Sequence, residues 1–316
     1  MGIRKRFRHC APYGESSTFA QVSYFPYSEP STPRKGRQRK YQVSTPKQRE
    51  LNNKRAVRYL EALVHSNFGE GDILASLSYS DEYQPKDEKE AKRLFGNFIG
   101  RLNYRLHKLG MENVKWVSVI ERGKKSGRFH HHALLKCGLD RDTIEEIWGY
   151  GYGNTKRLQN DCRKGLLEVV HYIAKDSKTI EQRPQNTRKW DSSKNLIKPW
   201  DTVNDNPRMM SGKKYRQMKE LGESTEDMRR IIEADNPGYE LIDVEKEFRE
   251  EFSAWYFFCR LRLAQKPPNR KKQKQKGKTK KQNINEIKQN ANSKSENISR
   301  NGDARAKPPP ADKGPP

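Results

Sequence analysis

Residues 91–109 admit one reading. Ala91, Leu94, Phe95, Phe98, Ile99, Leu102, Leu106 and Leu109 recur at helical spacing and form a single apolar stripe closed by Gly110, and a stripe of that width has to be buried against another element. Directly after it, "VKWVSVIE" (114–121) is β-branched and aromatic, "RGKKSGR" is a glycine-bounded turn, and "FHHHALLK" (129–136) returns as a second strand. A helix laid against a β-hairpin is therefore the centre of the expected fold.

The flanking segments extend that pattern. Thr45, Pro46 and Gln48 supply a capping hydroxyl, a proline at the first helical position and a capping-box glutamine. Ala56, Val57, Leu60, Leu63 and Val64 then continue at helical spacing until "NFGEGD" breaks it. "ILASLSY" (73–79) alternates Ile73, Ala75, Leu77 and Tyr79 on one face, as a strand does. After the hairpin come a short helix near Thr143–Trp148, a strand in "YGNTKRLQ", and a helix from about Arg163 to Lys175 containing "LLEVVHYIAK". The order β, α, β, β, α, β, α predicts an α+β class, an antiparallel sheet with helices on one side. Residues 180–222 read as polar and irregular, and "STEDMRRIIEA" as a capped short helix. "GYELIDVE" and "SAWYFFCRLRL" are expected to add a last strand or helix to the same sheet.

Only 32% of the 316 residues are apolar and 33% are charged, so a large share is expected to lie outside any packed domain. Of the net +25, residues 1–46 carry +7 and residues 266–316 carry +11. The expected division is a disordered basic arm over 1–45, a folded domain over 46–264 with its core at about 70–178 and an extension over 179–264, and a disordered basic tail over 265–316. A surplus of this size favours a polyanionic partner, because each Lys or Arg placed on a phosphate releases condensed counterions. Cys10, Cys137, Cys162 and Cys259 have no paired spacing, which argues against a thiolate zinc site or a disulfide framework and suits a reducing cytoplasm. No apolar run approaches a membrane span, and none follows the basic start as in a signal peptide. A soluble, unsecreted protein of the cytoplasm, with no membrane partner, is expected.

Two groups of residues carry chemistry. Side chains at i and i+2 of a strand share a face, so His130 and His132 project together while His131 points away with Phe129 and Ala133. The hairpin brings Glu121, at the end of the partner strand, beside His130. Two imidazoles and a carboxylate suit Mn²⁺ or Mg²⁺, with zinc as an alternative; the competing reading is three structural or surface histidines. The second group is "HYIAK", in which Tyr172 and Lys175 share a helical face. A phenol with a pKa near ~10 attacks phosphate only beside a cation and a polarised electrophile, and a plain surface Tyr–Lys pair is the alternative. His171 points about 100° away from Tyr172 on a helix and is read as structural.

These two groups, in this order, resemble the catalytic core of the HUH rolling-circle replication initiators, the Rep proteins of bacterial plasmids and single-stranded DNA phages. In that family a strand resembling "LASLSY" precedes one carrying two metal-ligating histidines around a bulky residue, and a helix with Tyr-x-x-Lys follows. "RFHHHALL" and "YIAK" match these elements over about residues 70–178. The resemblance implies a ferredoxin/RRM-like HUH endonuclease core. It makes His130 and His132 metal ligands, with Glu121 as the third, Tyr172 the nucleophile and Lys175 an auxiliary cation. It also implies nicking of single-stranded origin DNA with a divalent cation, a 5′-phosphotyrosine adduct, a free 3′-OH and later rejoining, in a bacterial host. Asp176 stands where some relatives carry a second tyrosine, so a single-tyrosine enzyme is expected. No "GxxxxGK[ST]" occurs, so unwinding is assigned to a host helicase and extension to a host DNA polymerase. A relaxase or a single-tyrosine transposase would share the chemistry. A basic nucleic-acid-binding protein without catalysis would instead be indifferent to loss of Tyr172.

Overall fold

The computed structural model of the chain describes residues 2–27, 45–123, 126–174, 190–205, 210, 212–221 and 225–264. These fall within one compact unit, Met1–Ala264. In chain order the elements are β1 (Gly2–His9), β2 (Phe19–Tyr27), α1 (Pro46–Asn67), β3 (Ile73–Ser78), α2 (Glu88–Lys108), β4 (Lys115–Arg122), β5 (Phe129–Lys136), α3 (Arg141–Trp148), β6 (Gly153–Arg157), α4 (Leu167–Ala174), β7 (Asp191–Ser192), β8 (Trp200–Asn204), α5 (Gly212–Glu220), α6 (Thr225–Asp235), β9 (Tyr239–Arg249) and β10 (Ala254–Leu263). Among the described residues the strands form two antiparallel sheets: sheet I, in the order β6-β3-β5-β4-β7, and sheet II, in the order β8-β1-β2-β10-β9.

The α+β class and the antiparallel pairing agree with the sequence. In sheet I, the register sets Ser118 opposite Ala133 and Glu121 opposite His130. One face carries Ile73, Ala75, Leu77, Ala133 and Leu135 against Phe95, Phe98, Ile99, Leu102 and Leu106 of α2 and Ile144 and Trp148 of α3. Each fully buried side chain of this kind contributes roughly 1.5–3 kcal/mol. Asp87 caps α2, its carboxylate accepting from the Glu90 N–H at 2.7 Å. Leu109, expected in the stripe, instead lies past the helix end and is exposed.

Helices cover both faces of sheet I rather than one. The strands also carry Leu74, Val117 and Leu134 on the opposite face, and these pack under Leu60, Leu63 and Val64 of α1 and Val170 and Ile173 of α4. A strand with apolar residues at both parities needs two covers.

Sheet II was not foreseen as a separate layer. The expected basic arm instead forms β1 and β2 over residues 2–27. Arg4, Arg6 and Arg8 alternate with inward residues: Ile3 and Phe7 lie against the cluster built on Ala20, Val22, Tyr24, Phe257, Cys259, Leu261 and Ile232, and Lys5 between them is buried on Asp235, while Arg4 and Arg8 reach Asp205 and Asp201. Likewise β9 pairs with β10 and β10 with β2, not with sheet I. The segment expected to be irregular contributes β7, β8 and α5. Helix α1 is shared: one side meets sheet I, while Ala62 packs with Cys10, Phe19, Leu167 and Ile242. Thr45 caps α1 as expected, accepting from the Gln48 N–H at 3.2 Å.

Candidate active site on the hairpin

The face of sheet I that meets α1 and α4 changes character along its strands. Leu74, Leu134 and Val117 close the core at one end, and two residues further on the same parity presents Ser76 and His132, then Ser78, His130 and Glu121. Strand alternation alone thus hands one face from packing to chemistry. Nε2 of His130 and of His132 lie 2.9 Å and 3.0 Å from the same Glu121 oxygen, Oε2. The three ligand atoms lie within 4.8 Å of one another and could hold a metal ion.

The donor set fits a divalent cation. Both imidazoles turn Nε2 toward one point shared with a carboxylate oxygen, and Nδ1 of His132 lies 3.2 Å from the Ser76 hydroxyl. A hydrogen bond on that second nitrogen fixes ring orientation and leaves Nε2 free to coordinate. Burial and the neighbouring His130 push the His132 pKa down, against the pull of Glu121, which favours the neutral ring that a metal requires.

His131 does different work. It is fully buried, stacked on Phe95 with ring centroids 4.8 Å apart and 21° between planes. Its Nε2 is 2.7 Å from the Tyr79 hydroxyl, which itself reaches the Ala91 carbonyl at 3.2 Å. Nδ1 of His131 is buried without a partner. The consistent assignment has Nε2–H donating to Tyr79, Tyr79 donating to Ala91, and a bare Nδ1, since the other tautomer would bury an unpaired N–H. Burial pushes this imidazole down to about 3, so it stays neutral and adds no positive charge between the other two.

Tyr172 arrives from α4. Its ring meets that of His132 edge-on, with centroids 5.3 Å apart and 75° between planes, and it is 55% exposed, so the phenol stands beside the triad and open to a ligand. The structure therefore brings Glu121, His130, His132 and Tyr172 together. Lys175 lies outside the described residues, as do Asp176 and the segment 265–316.

A second group of residues, outside the hairpin and the Tyr-x-x-Lys pattern, stands behind Tyr172. Nε2 of His171 lies 2.9 Å from Glu61 Oε1, and Glu61, on α1, has a completely buried side chain. Arg260 of β10 donates to both its oxygens at 2.8 Å, and Gln21 of β2 donates to Oε2 at 3.0 Å. Burial alone would raise the Glu61 pKa, but His171 and Arg260 outweigh it and hold the carboxylate below its usual range. One turn along, His65 accepts the Leu166 N–H through Nε2 at 3.1 Å. The available signal was a glutamate and a histidine four apart inside an apolar helical stripe.

The fold and its hairpin site define an α+β core able to hold a cation next to an accessible phenol. Residues 72–177 match the family model described as Replication-associated protein ORF2/G2P, which supports a replication-initiator family for this segment. Among curated proteins none matches the chain. A solved structure, the crystal structure of the hypothetical protein ORF119 from Sulfolobus islandicus rod-shaped virus 1, aligns with 43% of this chain and 99% of that one at 14% identity and a TM-score of 0.26. No helix among the described residues is long and apolar enough to cross a membrane.

Proposed function

We propose that the protein starts DNA replication as a rolling-circle initiator of the HUH class, nicking single-stranded origin DNA through Tyr172. The observation that carries this reading is the edge contact between the Tyr172 ring and His132, one of three groups converging within 4.8 Å. The match of residues 72–177 to replication-associated proteins supports it. A divalent cation held by His130, His132 and Glu121, Mn²⁺ or Mg²⁺, would polarise the phosphoryl oxygens and stabilise the charge that builds up during displacement, worth several kcal/mol.

The chain's own residues do the rest. Tyr172 presents its hydroxyl in line with the scissile phosphorus, where proximity replaces a bimolecular encounter. As the phenolic oxygen bonds to phosphorus its proton passes to water, and the leaving 3′ oxygen takes one up to become a free 3′-OH. One phosphodiester is exchanged for another, so the step reverses without ATP. Ser76 holds the His132 ring in place, and neutral His131 keeps the hairpin rigid from behind through Tyr79 and Phe95. Lys175, on the Tyr-x-x-Lys pattern, is assigned to steady the phenolate. A host helicase and polymerase would then act on the nicked strand.

The test is incubation of 3′-labelled single-stranded DNA with Mn²⁺ or Mg²⁺ and the full chain. The expected product is a denaturant-resistant, protease-sensitive protein–DNA species with the wild type. Tyr172→Phe should retain DNA binding and yield none. Adduct formation by the Tyr172→Phe protein would overturn the assignment.

A further inference from the structure

We propose that Glu61 and His171 form a positioning pair for Tyr172, through which sheet II sets the rotation of α4. This inference rests on the role given above to Tyr172. Helix α4 has eight residues, too few to fix its own orientation closely, and its packing side, Leu167, Val170 and Ile173, is apolar. Apolar contacts hold a short helix in place but tolerate small rotations, because they lack direction. The directional contacts come from α1: the His65 ring takes the Leu166 N–H at 3.1 Å, and the Glu61 carboxylate takes the His171 Nε2–H at 2.9 Å.

Since neighbouring side chains on a helix are about 100° apart, pinning His171 toward α1 turns Tyr172 toward β5. Glu61 can serve as the fixed point because it is itself immobilised. Its side chain is fully buried, with Arg260 bridging both oxygens and Gln21 on one, and Arg260 is held further by Asp243 and Glu245 of β9. A carboxylate so placed would be an odd residue for packing alone, since replacing such ion pairs by apolar groups is often neutral or stabilising. His171, by contrast, is 52% exposed, so its loss leaves the core intact.

The experiment compares the full-length wild type with His171→Ala and His171→Gln, the second retaining an amide N–H at about the position of Nε2. The single-turnover rate of adduct formation is measured with Mn²⁺ over a range of concentrations of an oligonucleotide recovered from a randomised single-stranded DNA pool. Alongside it are taken the melting temperature and the NMR cross-peaks between the Tyr172 and His132 rings. His171→Ala should lower the maximal single-turnover rate on the order of ten- to a hundred-fold, with the half-saturating DNA concentration and melting temperature unchanged and the ring cross-peaks weakened. His171→Gln should recover most of both losses. A His171→Ala protein within two-fold of wild type in maximal single-turnover rate, a loss that follows the melting temperature, or a glutamine variant no better than alanine would overturn the proposal. A wild type that forms no adduct sinks the nickase reading instead. The cross-peaks then still decide this one: their persistence in His171→Ala refutes it and their loss supports it.

Discussion

Acidification should loosen the junction between α1 and α4 through a single imidazole. His65 stacks on Phe19 with ring centroids 3.8 Å apart and 14° between planes. Its Nδ1 donates to the Glu61 carbonyl at 2.8 Å and its Nε2 accepts from the Leu166 N–H at 3.1 Å. A second proton would set one N–H against another. Burial accordingly pushes the pKa from 6.5 down to about 4. Between those two values the unfolded chain binds the proton and the folded one does not, so stability falls as pH drops through 6.5 and the loss is complete near pH 4. Linkage puts the cost at about 2 kcal/mol by pH 5 and about 3 kcal/mol by pH 4. In His65→Gln the amide oxygen can still accept from Leu166 and nothing titrates. Losing the bond to the Glu61 carbonyl should make the variant about 1 kcal/mol less stable than wild type at pH 7. At pH 5 the order should reverse. Urea denaturation of both proteins at the two pH values, followed by tryptophan fluorescence, measures the difference directly. A gap between variant and wild type that stays constant from pH 7 to pH 5 would refute the tautomer and burial argument.

Other perturbations probe the site and its frame. Ser76→Ala removes the partner of His132 Nδ1 and should weaken Mn²⁺ binding by about tenfold or more in calorimetric titration; unchanged affinity would deny the hydroxyl an orienting role. His131→Phe keeps a neutral ring on Phe95 and should shift stability by less than about 1.5 kcal/mol. His131→Ala opens a cavity and should cost roughly 2–5 kcal/mol, and equal melting temperatures for the two would contradict the packing described. Gly151 has φ 149°, and a Cβ there would lie 2.6 Å from the Ser78 carbonyl oxygen and closer still to the Ser80 nitrogen. Gly151→Ala should therefore cost more than about 1 kcal/mol in thermal denaturation, and a variant as stable as wild type would show that this edge of sheet I can yield.

The parts of the fold legible in the sequence are those whose partners are near in the chain. Alternation in 73–79 and 129–136 assigned each side chain its face, and the hairpin turn fixed Glu121 opposite His130, so the convergence of three ligand atoms followed from local rules. Placing Tyr172 needed the family resemblance as well, because a helix pattern says which residues share a face and not what that face meets. Sheet II was missed for a physical reason. Its strands β1 and β10 come from segments more than 240 residues apart, and Arg4, Lys5, Arg6 and Arg8 give the first of them the composition of a solvated arm. Only pairing with the apolar β2 makes that strand worth burying. Glu61 was missed on the same ground: a carboxylate in a stripe of leucines makes sense only once Arg260, 199 positions later, stands opposite.

If the chain nicks DNA as proposed, that separation bears on when it becomes able to do so. During synthesis the hairpin and the helices around it can assemble while β10 is still inside the ribosome, and Glu61 of an unfinished chain then has no guanidinium to face it. If Tyr172 is the nucleophile and is aimed through that acid, cutting power comes with β10. An aborted fragment could then grip an origin without being able to break it.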